Sequence, residues 1–164
     1  MPVQNYTINT RDEVAGVLYG MQQTRALLQS AKVVTAPLDF GVGVKQVNDR
    51  EVTAGFETGV GDFRLFGISL RQLTTESDFR PNTGAAFYPV GAIAPIVRDG
   101  VVNVISQEAC NLGDRVYVDQ TTGKFYSTAG AGRELTTNCI WDVTAAAGAV
   151  ARLVITTAMQ EPNA

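Results

Sequence analysis

The stretch Asn111-Leu-Gly-Asp-Arg-Val-Tyr-Val-Asp-Gln-Thr-Thr-Gly-Lys-Phe-Tyr126 reads as a β-hairpin. Val116 and Val118 alternate with Tyr117 and Asp119, the period of two of a strand with one buried face. Gly113-Asp114 precedes the strand as a turn. Asp119 to Gly123 is a polar connection ending in the residue that best tolerates positive φ at a tight reversal. Lys124, Phe125 and Tyr126 then open a return strand, where aromatic rings fit the pleat. Tyr88-Pro-Val-Gly-Ala-Ile-Ala-Pro-Ile-Val-Arg-Asp-Gly-Val-Val102 repeats the pattern: a Gly-led entry, an apolar strand, an Asp99-Gly100 turn and a valine-rich return. Two such hairpins predict a mainly β chain, a compact β-barrel or sandwich.

Upstream the pattern stays β from Ala31. Val33-Val34 leads to a turn at Ala36-Pro37. A strand follows over 40–47, with Phe40, Val42 and Val44 on one face. Its alternate residues, Gly41 and Gly43, predict close approach of another backbone. Asn48-Asp49-Arg50 is a turn, and 51–56 a strand. Residues 63–73 read as one long strand, apolar on both faces and therefore central and covered twice. Downstream, 139–143 is a short strand holding Trp141, the only tryptophan, and 149–155 closes the sheet.

Residues 10–30 fit two patterns. Thr10-Arg-Asp-Glu13 matches a capping box, and Val14, Val17, Leu18 and Met21 share a helical face. Gly16 and Gly20 each cost about 1 kcal/mol inside a helix. Val17-Leu18-Tyr19 suits a strand equally well, so the residues alone leave 14–20 open between helix and extended structure, and 21–31 reads as a turn or short helix. Residues 1–12 alternate Val3, Tyr6 and Ile8 with polar neighbours. Large apolar side chains have little reason to sit on a free tail, and they suggest an extended N-terminal arm. The expected organisation is an arm at 1–12, one β domain at 13–157 and a tail at 158–164. Thr74 to Ala86, which includes Phe79 and Arg80, is the longest polar connection, and loops of that length often carry function.

Composition sets limits on chemistry. A chain of 164 residues with 45% hydrophobic and 18% charged residues is globular. A formal charge of −3 with no basic run argues against nucleic acid as a partner. No 18-residue apolar run suggests a membrane span, and no secretory signal is visible. Histidine is absent, which removes the commonest general base and metal ligand. Cys110 and Cys139 have no zinc-site spacing and are expected to be reduced, partly buried thiols. The acidic pairs Asp12-Glu13, Asp49/Glu51 and Glu76/Asp78 sit in turns or at segment ends, where solvated acids are ordinary. The chain is therefore expected to be no enzyme and to hold no metal or cofactor.

Four motifs in one order carry a family resemblance: FGVGVKQ (40–46), FGISLRQ (66–72), GAIAPIVRDGVV (91–102) and GDRVYVDQTTGKF (113–125). The series, from about Ala15 to Ile155, resembles the capsid cement (decoration) proteins of tailed bacteriophages. It favours extended structure near residues 14–20. It also implies a structural protein on the outer surface of an assembled capsid, put together in the host cytoplasm, that reinforces the lattice. The implied partners are the major capsid protein and the chain itself, as a homotrimer at local three-fold axes or alternatively a dimer. Val3, Tyr6, Ile8, Phe79, Arg80 and Trp141 are the expected capsid or subunit contacts. Trp141 could equally be a core residue. Two other readings stand beside this one: a tail or fibre structural protein, and a small carbohydrate-binding β-domain using Tyr88, Tyr117 or Tyr126.

Overall fold

The computed structural model describes residues 15–18, 27–56, 64–71 and 87–157. They form β1 (Leu27–Val33), β2 (Leu38–Asp39), β3 (Gly43–Asn48), β4 (Glu51–Ala54), β5 (Gly67–Ser69), β6 (Phe87–Tyr88), β7 (Ile93–Ile105), β8 (Arg115–Asp119), β9 (Phe125–Tyr126), β10 (Arg133–Trp141) and β11 (Val150–Ile155). No helix occurs among the described residues. The calls on residues 1–12, 74–86 and 158–164 lie outside them.

Strand β7 organises the rest. Its first half pairs with β1 on one side and β5 on the other. Through β1–β4, β4–β3 and β3–β5 these strands close a five-stranded barrel. From Gly100 onward the same strand pairs with β11, which leads on to β10, β8 and β9. Ser106, just past the end of β7, bridges back to Phe125 of β9 and nearly closes a second ring. Each ring has its own core. Ala31, Val33, Val44, Val52, Ala94 and Ile96 fill the first, beside Leu38 and Tyr88 of the small β2–β6 pair. Val102, Val104, Val116, Val118, Phe125, Trp141, Leu153 and Ile155 fill the second.

This arrangement corrects several expectations. Asp99-Gly100 is not a hairpin turn, because β7 runs unbroken for 13 residues. Both halves of the strand find long-range partners, which outweighs the local turn preference. The Asp-Gly pair instead marks the transfer from one ring to the other, opposite a register shift at Leu27/Leu28. Residues 27–31 are strand rather than turn or helix, for the same reason. Phe40 and Gly41 form a turn ahead of β3 instead of belonging to it. Within 64–71, the described part of the expected long strand, only Gly67–Ser69 is regular, and its three residues are all buried between β3 and β7 as anticipated. β10 starts at Arg133, well before the expected Cys139. Near the N-terminus, Leu18 bridges Val102, and the Asn103 N–H donates to the Val17 carbonyl at 2.8 Å.

The 111–126 hairpin forms as read. Val116 and Val118 are buried, while Arg115, Tyr117 and Asp119 are not. The Asp119 carboxylate accepts the N–H groups of Thr121 and Thr122 at 2.9 and 2.7 Å. Burial alone would push the Asp119 carboxyl up. The backbone N–H groups of Thr122 and Thr121 outweigh it and hold the carboxyl below its ordinary value. The hairpin tip then locks onto the first barrel. Gly43 N–H donates to the Gly123 carbonyl at 2.8 Å, and Phe56 N–H to Gln120 at 3.2 Å. Gly123 has φ +69, and a side chain there would land on the Gly43 carbonyl. The close approach expected at Gly43 is therefore to this turn.

Candidate functional site

Trp141 is the one expected contact residue within the described part of the chain, and it is wholly buried. It stands edge-on to Phe125, ring centroids 6.5 Å apart, in the second core. Trp141 thus packs the interior and presents nothing to a partner. Val3, Tyr6, Ile8, Phe79 and Arg80 lie outside the described residues. Tyr88 is also wholly buried, its hydroxyl donating to the Leu70 carbonyl at 2.6 Å. That burial pushes its phenol up to about 12 and removes it as a sugar platform. Arg133 lies over the Tyr126 ring at 3.6 Å. The same guanidinium pairs with Glu108 at 2.7 Å, and Glu108 also accepts the Thr128 hydroxyl at 2.7 Å. The cluster ties β9, β10 and the 106–110 loop together and leaves Tyr126 covered. Both cysteines are free and buried.

Topology gathers what the sequence scatters. Lys45 on β3, Arg64 and Phe66 ahead of β5, and Arg98 on β7 line one groove of about 410 Å³. They meet because β3, β5 and β7 are neighbours in the first barrel. Arg98 lies over the Phe66 ring at 4.5 Å, and its Nη1 donates to Gln29 Oε1 at 3.3 Å. Gly67 lies hard against β7, where a Cβ would land on Ile96 Cγ2 and stand 2.8 Å from the Val97 carbonyl oxygen. Gln46, Asn138, Thr156 and Thr157 supply further polar lining, and no acidic residue lines the groove among the described residues. Asp99 accepts the hydroxyl of the lining Thr157 at 3.2 Å. A basic groove was invisible in the sequence, where Lys45, Arg64 and Arg98 stand far apart and form no run. Only the order of strands could have revealed it.

No group of three or more acidic, histidine or cysteine side chains suited to a metal occurs among the described residues. The geometry offers surfaces: a five-stranded barrel fused to a nearly closed second ring, a charged groove, and scattered exposed apolar side chains such as Ile93, Leu112 and Ile140.

Residues 2–156 match the family model for the structural cement protein typified by E217 gp24 and Pam3 gp6. The chain belongs to the phage structural cement protein family. Its role is that of a cement protein: a structural component of the virion that associates with the capsid and reinforces it. The match begins at residue 2, so the family pattern takes in the N-terminal segment that the four motifs left out. Among solved structures, a chain from the capsid of Myoviridae phage XM1 shares the cement fold with a TM-score of 0.68. The two are 19% identical over 96% of this chain and 99% of that one. The N base of head fiber gp8.5 from bacteriophage phi29 gives a TM-score of 0.42 at 12% identity, over 84% of this chain and 99% of that one. No curated protein matches the chain.

Proposed function

We propose that this cement protein binds the outer surface of an assembled capsid as a homotrimer, and that it acts by binding alone, without catalysis. Assembly takes place in the host cytoplasm, and neither nucleic acid nor membrane is a partner. The observation that carries this reading is the family match over residues 2–156, which spans the arm sequence as well as both rings of strands. Val3, Tyr6 and Ile8 of the arm, and Phe79 and Arg80 of the 74–86 connection, are the contacts the reading assigns. Large apolar side chains such as Tyr6 and Ile8 are the kind that anchor an interface. A trimer multiplies weak individual contacts into firm attachment.

The test is co-sedimentation of the purified chain with undecorated capsids and, separately, with purified tails. Sedimentation equilibrium of the free chain gives the oligomer. Saturable binding to capsids by a trimer is expected. Binding to tails alone would overturn the reading, and a stable dimer would replace the trimer.

A further inference from the structure

We infer that the turn carrying Leu112, with the 144–148 loop beside it, seats in an apolar hollow on the capsid protein. This rests on the capsid-binding reading above and adds to it a place and a chemistry. Leu112 is 67% exposed, more than any other large apolar side chain among the described residues. The turn beneath it is tied down. Asp114 N–H donates to the Asn111 carbonyl at 3.0 Å, and Asn111 N–H to the Asp114 carboxylate at 2.8 Å. Leu112 N–H donates to the Thr144 hydroxyl oxygen at 3.2 Å, and Gly113 N–H to the Trp141 carbonyl at 2.8 Å. None of these bonds uses the Leu112 side chain, so the fold would keep them with a polar residue in its place. A leucine held out on a rigid turn gains burial on docking and gives up little freedom, because its backbone is already fixed.

The surroundings of Leu112 suit a docked face. Ala109, Thr144, Ala146, Ala147 and Gly148 are exposed on the two loops that flank it. Cys110 and Ala145 exchange main-chain hydrogen bonds at 3.0 and 2.9 Å and stitch these loops together. Residues 109–113 and 143–151 contain no charged side chain, and charge is what the core of an interface lacks. The result is a low shelf of small residues with one leucine standing above it. Its size selects the occupant. A stand-alone interface takes roughly 20–30 residues a side. So small a shelf cannot by itself hold two copies together. On a lattice it acts beside the arm and beside the same shelf of the other copies in the oligomer. The occupant is therefore the capsid protein and not a second copy of this chain.

The experiment compares Leu112→Ser and Ala147→Arg with the wild type. Val90→Ser is the control, an apolar side chain 55% exposed on a turn of the first barrel. Thermal melting first establishes that each variant is folded. Ala147→Arg adds bulk and charge to the shelf without touching the Leu112 turn, so it tests the proposal even if Leu112→Ser unfolds. Co-sedimentation with undecorated capsids is measured at about 50 mM and about 500 mM salt, a range that screens charge contacts and leaves apolar ones in place. The expected result for Leu112→Ser is about a tenfold loss of capsid affinity, the size that removing one buried leucine gives, and the same at both salts. Ala147→Arg should lose at least as much, with Val90→Ser close to wild type. Wild-type affinity in both shelf variants, or an equal loss in Val90→Ser, would overturn the shelf assignment while leaving capsid binding in place. No sedimentation of the wild type would remove the capsid reading itself. A Leu112→Ser chain that falls to a smaller oligomer in sedimentation equilibrium would overturn the proposal and reassign the shelf to a contact between copies.

Discussion

The side-chain amide of Asn138 on β10 pairs with both main-chain groups of Leu65, accepting its N–H at 2.9 Å and donating to its carbonyl at 3.0 Å. It thereby stands in for a neighbouring strand. The same Nδ2 donates to the Thr156 carbonyl at 3.0 Å. One buried amide therefore satisfies three backbone groups from segments that come together here.

Replacing Asn138 with Leu keeps the branched shape of the side chain and orphans the Leu65 pair. Each buried backbone group left unpaired costs about 1–3 kcal/mol. We expect Asn138→Leu to lower stability by about 3 kcal/mol in urea unfolding. A change under about 1 kcal/mol would mean that water replaces the amide.

Gly123 and Gly113 both have positive φ, +69 and +85, but differ in surroundings. At Gly113 a Cβ meets nothing within 4 Å, so Gly113→Ala should cost only the backbone strain, about 1 kcal/mol. At Gly123 the added carbon lands on the Gly43 carbonyl and breaks the clasp between hairpin and barrel. Gly123→Ala should cost about 3 kcal/mol or more, combining strain with overpacking. Thermal midpoints of the two variants give the ranking, and equal shifts would contradict it.

Burial pushes the Cys139 thiol up to about 12, as it does the Tyr88 phenol. For both groups the folded value lies above the unfolded one, so the native state holds the proton longer. Their contribution is whole below the unfolded value and is lost as pH rises. Stability should therefore decline from about pH 9 upward. The native protein should also react slowly with a thiol reagent at neutral pH, with both thiols appearing on denaturation. Rapid labelling of the native chain would show that the second core opens readily.

The acid limit has the opposite sign. Hydrogen bonds from Thr128, then Arg133, hold Glu108 below the usual carboxylate range, and the turn N–H groups do the same for Asp119. The stability they add is present above the unfolded value, near pH 4, and disappears as pH falls through the lowered folded values. Urea midpoints should fall below about pH 4 in the wild type. The fall should be shallower in a Glu108→Gln, Asp119→Asn double variant.

For the arm, magnitudes decide. Burying Val3, Tyr6 and Ile8 contributes about 1.5–3 kcal/mol each, while ordering about eight residues costs about 1–2 kcal/mol apiece. The cost matches or exceeds the gain, so on the proposed reading one arm would bind marginally and several together would bind firmly. Deleting residues 1–9 should leave circular dichroism and oligomer size unchanged and greatly weaken capsid co-sedimentation. Full capsid occupancy by the truncated chain would move attachment to the 74–86 connection or the Leu112 turn.

What the sequence revealed was local. The period of two at Val116 and Val118 and the glycines around the hairpin reported their own surroundings, and the hairpin formed as read. Asp99-Gly100 misled because a dipeptide signals a turn only where no distant partner competes, and here β1, β5 and β11 all do. The strand at Leu27–Val33 was masked by good helix formers for the same reason. Trp141 looked like a candidate contact because sequence cannot tell an interior tryptophan from an interface one. The groove was illegible because its charges come from three separate parts of the chain.

β7 serves as a stave of both rings, and this has a mechanical meaning. Two domains joined by a linker bend at the linker under load. Here a push on one barrel passes along a continuous backbone into the other, and separating them means shearing the ladders that flank the strand. A shell that swells from within would find in this protein a stiff rivet with no hinge between its two heads.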